Sequence, residues 1–303
     1  MTDQVREGVV LFGCPRSGTT LLRRLLDAHP SFAAPGETYA LTSAARFLEG
    51  ERMVDGLEVG VVNGLGFLGF SSDEVVGRLR DLVFSFRREH AASEGKPRWV
   101  EKTAVDAFHL ATIHRLCADR VQYVCIVRHG LDVVCSMQDW IGKSQAYPSE
   151  LHRYIRENPR PLHAFARAWV DATNAILDFA ESNPEDACLL QYENLVADPN
   201  SNLAALFEFL GEDYVAASLS TALTGKDSKG FSDWKSFARS AIEDASVGRW
   251  KTVLSRETVM ELSEIVNPTL RRIGYEPVVG GGTQDEAQKR RRYEIGLALQ
   301  KLK

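Results

Sequence analysis

Val9-Val10-Leu11-Phe12-Gly13-Cys14-Pro15-Arg16-Ser17-Gly18-Thr19-Thr20-Leu21-Leu22 reads as a buried strand, a glycine-framed loop and a helix start within fourteen residues. Four apolar residues closed by a glycine suit a strand covered on both faces, and the Thr-Thr-Leu-Leu that follows opens a helical pattern. Gly13 and Gly18 have the spacing of the phosphate loop Gly-x-x-x-x-Gly-Lys-Ser/Thr. In that loop backbone N–H groups cradle phosphates, the Lys reaches the terminal one and the hydroxyl serves Mg²⁺. Thr19 stands where the Lys would be, and the cation lies inside the loop as Arg16. The helix behind it still aims its first amides and the positive end of its dipole at an anion. The stretch is thus a phosphate loop without the charge layout of a nucleoside triphosphatase.

Around it, apolar runs alternate with helical patterns, the signature of a parallel sheet covered on both faces. Strands are expected at 7–13, 97–101, 121–127 and 187–191, and helices at 18–29, 72–91, 104–117, 130–140, 162–182, 199–210 and 256–273. The helix over 162–182 carries Phe165, Trp169, Ala172, Ile176 and Phe179 at helical spacing, a stripe that belongs to a core. The expected fold is therefore α/β: a P-loop-containing, three-layer α/β/α arrangement around a central parallel sheet.

With 303 residues, 44% hydrophobic and 25% charged, the chain can bury one sizeable core. One domain is expected over 1–279. A glycine joint at Gly280-Gly281-Gly282-Thr283 then opens a basic tail, 280–303, with six Lys/Arg against three Asp/Glu. A net charge of −5 argues against a nucleic-acid surface, so phosphate recognition is local. No apolar run reaches membrane-spanning length, and Met1-Thr2-Asp3-Gln4-Val5-Arg6 leads into the first strand without a secretory signal. A cytoplasmic protein with no membrane partner is the expectation. Cys14, Cys117, Cys125, Cys135 and Cys188 form no close metal-ligand pair and lie mostly in apolar runs, as buried thiols do. Cys14, inside the loop, is the one placed to matter chemically.

The run Val121-Gln122-Tyr123-Val124-Cys125-Ile126-Val127 ends at Arg128, and a helix opens within a few residues. Arg128 is thereby placed at the carboxyl edge of the sheet, where open α/β folds bind ligands. Ser136 follows about two helical turns later.

The wording Pro15-Arg16-Ser17-Gly18-Thr19-Thr20-Leu21, followed by Leu26-Asp27-Ala28-His29-Pro30 and Gly36-Glu37-Thr38, resembles the sulfotransferases that use 3′-phosphoadenosine 5′-phosphosulfate (PAPS). Within them it looks most like the tyrosylprotein-sulfotransferase branch and its bacterial small-molecule relatives. The resemblance implies that Pro15, Arg16, Ser17, Gly18, Thr19 and Thr20 hold the 5′-phosphosulfate and that no metal is needed. It also implies that Arg128 and Ser136 grip the 3′-phosphate, a task suited to a guanidinium's fixed fork of donors with a hydroxyl beside it. Leu190-Gln191-Tyr192-Glu193-Asn194-Leu195 resembles a strand-end segment of the family, in which Tyr192 is either structural or faces the nucleotide. Ser246-Val247-Gly248-Arg249-Trp250-Lys251 resembles the late loop that closes over the cofactor, with Arg249 reaching the 3′-phosphate.

Sulfuryl transfer requires a base for the acceptor hydroxyl, charge on the transferring group and help for the departing phosphate. Glu37 follows Arg16 by 21 residues, the interval that separates the loop Arg from the catalytic Glu in the tyrosylprotein sulfotransferases. The resemblance makes Glu37 the base and Arg16 and Lys102 the cations. Lys102 lies in Trp99-Val100-Glu101-Lys102-Thr103-Ala104, where the family often has a Pro soon after the Lys and this chain has Ala104. Plain structural readings stand beside these: a capping or ion-paired Glu37, a surface Lys102, an ion-paired Arg128. Histidine is the alternative base, with His129 beside Arg128, and His29, His109, His114 and His163 elsewhere.

A cytoplasmic, PAPS-dependent sulfotransferase of secondary metabolism is the expectation, acting on a hydroxyl of a small-molecule or carrier-bound acceptor. It has no nucleic-acid partner, and a homodimer is allowed. A metal-dependent P-loop kinase would lack both the loop Lys and a strand-end Asp. A non-catalytic nucleotide-binding module would leave Glu37, Arg16 and Lys102 without a joint purpose. Residues 39–95 and 141–165 align with no motif, and an acceptor pocket is expected there. Gly64-Leu65-Gly66-Phe67-Leu68-Gly69-Phe70, with Phe84 and Phe86, would line it or form a lid, the ordinary alternative being a loop tucked onto the core.

Overall fold

The computed structural model describes residues 6–53, 56, 58–215 and 246–279, so the expected glycine joint and basic tail lie outside the described residues. The chain runs through β1 (Gly8–Phe12), α1 (Thr19–Asp27), β2 (Phe32–Ala33), α2 (Ala40–Leu48), β3 (Glu51–Arg52), β4 (Glu58–Val59), α3 (Val61–Gly66) and α4 (Ser72–Ser93). It continues through β5 (Arg98–Glu101), a 3₁₀ turn (Asp106–His109), α5 (Leu110–Cys117), β6 (Val121–Val127), α6 (Gly130–Ser144), α7 (Ser149–Glu157) and α8 (Pro161–Ser182). Last come β7 (Ala187–Gln191), α9 (Tyr192–Ala197), α10 (Pro199–Leu210), α11 (Trp250–Val253) and α12 (Arg256–Arg272). The described residues fall into two compact units, one holding those up to Arg128 and from Ala172 to 215, the other those from His129 to Asp171 and 246–279.

The first unit carries a five-stranded sheet in the order β2-β5-β1-β6-β7, parallel throughout. β1 is central, with Gly8 opposite Trp99 on one side and Val121 on the other, and it is buried along its whole length. An unbroken apolar strand is what a parallel sheet covered on both faces demands. On one face Val9, Leu11, Val124 and Ile126 meet Leu22, Leu25 and Leu26 of α1 and Leu203, Leu206 and Phe207 of α10. On the other, Phe12 stacks on Tyr123 with ring centroids 5.6 Å apart, and Phe179 of α8 packs edge-on to both. Each such side chain contributes roughly 1.5–3 kcal/mol by leaving water. The expected three-layer α/β/α fold is present, and Phe165, Trp169, Ala172, Ile176 and Phe179 are all buried.

Because all five strands run the same way, their carboxyl ends share one edge. There the chain leaves β1 into 13–18, β2 into 34–39, β5 into 102–105, β6 at Arg128 and β7 at Tyr192. Such an edge is where open α/β sheets bind ligands.

Several expectations change. The helix expected over 104–117 is divided, because Asp106 Oδ2 accepts from Thr103 N at 3.1 Å and fixes a tighter turn before α5. Phe84 belongs to the core, buried edge-on against Trp99 at 4.9 Å, so it lines no acceptor pocket. The stretch 64–70 holds the last residues of α3 and the turn after it, with Phe67 92% and Leu68 72% exposed. Cys14 is sealed: it is buried, and desolvation pushes its thiol up, so it stays neutral and unreactive. No helix among the described residues is long and apolar enough to cross a membrane.

In the second unit, α6 packs Gly130 against Trp169. A Cβ at Gly130 would stand 2.8 Å from the indole, which requires glycine there.

Candidate functional site

Residues 13–18 turn the chain from β1 into α1. Ser17 N donates to Cys14 O at 3.0 Å, and Arg16 and Gly18 hold φ of 77° and 100°. Left-handed residues set among ordinary ones turn successive N–H groups to one side, the concavity that receives anions. Gly18 has no room for a side chain, since a Cβ would stand 2.3 Å from Tyr192 Cδ2. Gly13 is equally confined, at 2.6 Å from Thr19 Cγ2. Gly18, the N-cap of α1, makes no side-chain cap bond, which leaves the first amides of the helix to other acceptors. Ser17 is 1% exposed, and its hydroxyl has no hydrogen-bond partner among the described residues. A buried orphan hydroxyl within an anion-shaped loop fits a phosphate or sulfonate group.

Arg128 Nη1 donates to Arg16 O at 3.1 Å, and the guanidinium lies over the Tyr192 ring at 4.3 Å. Tyr192 in turn packs on Gly18. The β6 and β7 ends therefore hold the loop from behind, with both residues buried.

At the adjoining strand ends, Lys102 Nζ is paired with Glu37 Oε1 and donates to Thr20 Oγ1 at 3.0 Å. The Lys102 and Glu37 side chains are 3% and 15% exposed. Beneath them Arg87 of α4 is ion-paired with Glu101 and donates to Thr38 Oγ1. Thr38 Oγ1 donates to Glu101 Oε2 at 3.2 Å, and Thr103 Oγ1 donates to Oε1 at 3.1 Å. Tyr39, at φ 58°, donates its N–H to Thr103 Oγ1 at 3.2 Å. Thr42 Oγ1 donates to Asp106 Oδ1 at 2.5 Å. Burial pushes the Asp106 carboxyl up to about 6 and pulls Arg87 down to about 10, so Arg87 is still a cation at neutral pH.

In the second unit, Ser136 is buried on α6. Arg249 Nη1 meets Asp139 Oδ2 at 2.6 Å, a hydrogen bond that raises the guanidinium's pKa. Asp132 accepts from Gly248 N at 2.7 Å and Trp250 N at 3.0 Å, tying the 246–250 segment to α6. The His129 ring stacks on Trp250 at 5.5 Å and meets Tyr275 edge-on. Elsewhere His29 bonds Asp213 O, His109 meets Glu49, His114 meets Tyr123 OH and His163 meets Glu261.

Of the residues expected to act, Pro15, Arg16, Ser17, Gly18, Thr19, Thr20, Glu37, Lys102, Arg128 and Tyr192 lie in the first unit at one sheet edge, while Ser136 and Arg249 lie in the second. Sequence reasoning gave no role to Thr38, Thr42, Arg87, Thr103 or Asp106. The one available signal was Glu101, a charged residue closing the apolar run Trp99-Val100.

A family model described as the sulfotransferase family matches residues 8–216. The nodulation protein NoeE of Sinorhizobium fredii is 26% identical over 278 residues, covering 88% of this chain and 65% of that protein; the chain thus spans just under two thirds of that relative. A putative protein-tyrosine sulfotransferase of Caenorhabditis briggsae is 25% identical over 283 residues, with 91% of each covered. Among solved structures, the sulfotransferase domain from the curacin biosynthetic pathway superposes with a TM-score of 0.61 at 20% identity, covering 89% of this chain and 98% of that one. This last likeness is one of fold.

Proposed function

The chain belongs to the sulfotransferase family, and from that premise we propose that it transfers a sulfuryl group from PAPS to a hydroxyl of a small-molecule or carrier-bound acceptor. The observation that carries this reading is the meeting, at one sheet edge, of an anion-shaped loop with the Glu37–Lys102 pair. PAPS supplies the sulfuryl group and leaves as adenosine 3′,5′-bisphosphate. Pro15 to Thr20 and the first amides of α1 hold the phosphosulfate, and the buried Ser17 hydroxyl supports that assignment. Arg16 and Lys102 place positive charge where the sulfuryl group moves and the phosphate departs. Glu37 takes the acceptor proton, and its contact with Lys102 orients the carboxylate before substrate arrives. Arg128 receives the 3′-phosphate, and Tyr192 stands by the adenosine.

We assign the transferase to residues 1–279 and place it in the cytoplasm, a homodimer being compatible. Titration calorimetry with adenosine 3′,5′-bisphosphate, ATP and GTP, followed by transfer assays with excess EDTA, tests the reading. The bisphosphate is expected to bind at least about tenfold more tightly than ATP, with charge-assisted 3′-phosphate contacts as the cause. Transfer is expected to survive the chelator, because Arg16, Lys102 and the helix amides supply the charge that Mg²⁺ supplies in kinases. Tight Mg²⁺-dependent ATP binding, with activity lost in EDTA, would favour the kinase instead.

A further inference from the structure

Glu101 and Thr103 flank Lys102 in sequence, and Thr38 follows Glu37. While Lys102 reaches Glu37 and Thr20, its neighbours turn to each other and to Thr38, closing a ring in which Glu101 receives Thr38, Thr103 and Arg87. Tyr39 N joins this ring through Thr103 Oγ1, at a left-handed residue that fixes where the chain goes after Glu37. Three separate segments are tied here: the turn after β2, the end of β5, and α4 through Arg87. The Arg87 and Glu101 side chains are 6% and 1% exposed.

We propose that Arg87, Glu101, Thr38 and Thr103 form a positioning network for the Glu37–Lys102 pair, setting where carboxylate and ammonium stand without touching substrate. The inference rests on the function proposed above. An ion pair this deeply buried loses much of its attraction to desolvation, and an apolar pair of similar shape often serves stability as well or better. Stability alone therefore does not explain charges here, whereas a fixed geometry does. Proton transfer and in-line displacement are sensitive to displacements near 1 Å, and these bonds restrain the residues on either side of Lys102 and the residue after Glu37.

Thr38→Val removes the hydroxyl and keeps the shape. Turnover is expected to fall about 10- to 100-fold, with affinity for adenosine 3′,5′-bisphosphate within about two-fold and the melting temperature little changed. Thr38→Ser, which restores the hydroxyl, should recover most of the rate. Thr103→Val and Thr103→Ser repeat the comparison at the other end of the ring, so a folding defect in one variant leaves the other to decide. An active wild type whose folded Thr38→Val and Thr103→Val variants both turn over normally overturns the network. Parallel losses of turnover and nucleotide affinity, unrescued by serine, overturn it as well. A wild-type chain that binds no bisphosphate and transfers no sulfuryl group defeats the functional reading first.

Discussion

The 13–18 loop and the turn pairing Glu37 with Lys102 stand side by side, joined by the Lys102–Thr20 bond, yet they are built by different means. The loop is made by its own backbone: two glycines, left-handed residues at 16 and 18, and a Ser17–Cys14 turn bond, all within six residues. The second turn is made by side chains drawn from α4, β5 and the chain after β2, with Arg87 and Thr38 49 residues apart. A backbone-built loop presents amides whatever its side chains are, so substitutions there should act on what is bound. A turn held by side chains moves when they change, so substitutions there should act on turnover.

The strongest way to break this contrast is Glu37→Gln. If Glu37 takes the acceptor proton, the amide keeps the shape and removes the base, and kcat should drop on the order of 10²–10⁴. Adenosine 3′,5′-bisphosphate should still bind within about two-fold, since the loop is untouched. The pH profile offers a second readout: the acidic limb of kcat/KM should vanish or move in the variant, whereas a histidine base would leave it in place. Near-normal turnover would make the Glu37–Lys102 pair merely structural and erase the functional difference between the two turns.

Arg128→Ala sharpens the contrast from the binding side. A desolvated charge-assisted contact is worth about 1.5–3 kcal/mol, roughly ten- to a hundred-fold in affinity. Adenosine 3′,5′-bisphosphate should weaken by that factor and 5′-AMP far less. Arg128 also donates to Arg16 O and covers Tyr192, so equal weakening of both nucleotides would mean that it braces the loop instead of reading the 3′-phosphate.

The same contrast explains what could be read in advance. Everything needed to see the loop lies in contiguous residues, and β1, β5, β6 and β7 announce themselves as apolar runs. β2 is two residues long and carries no period. The Arg87 network was hidden because each member looks ordinary in its own window: nothing in the charged run Arg87-Arg88-Glu89 marks one member as buried, although Arg87 is 5% exposed. Only the packing of α4 on the sheet turns Arg87 inward. Phe84 and Phe86 teach the same lesson. Two residues along a helix is about 200° of rotation, so Phe84 enters the core against Trp99 while Phe86 is 62% exposed, and they cannot line one pocket together.

Ser17→Ala is the smallest expected effect and the finest probe of the loop. Its hydroxyl is buried without a hydrogen-bond partner among the described residues, an arrangement that costs folding free energy unless a ligand completes it. Removing it should therefore leave the melting temperature of the unliganded protein unchanged or slightly higher, the reverse of the usual outcome for a buried residue. Binding of adenosine 3′,5′-bisphosphate should weaken by about 0.5–1.5 kcal/mol, roughly two- to tenfold, through loss of one hydrogen bond. The two signs must appear together. A variant that melts earlier and binds nucleotide normally would make Ser17 part of the scaffold, and the loop would then rely on its amides alone to hold the anion.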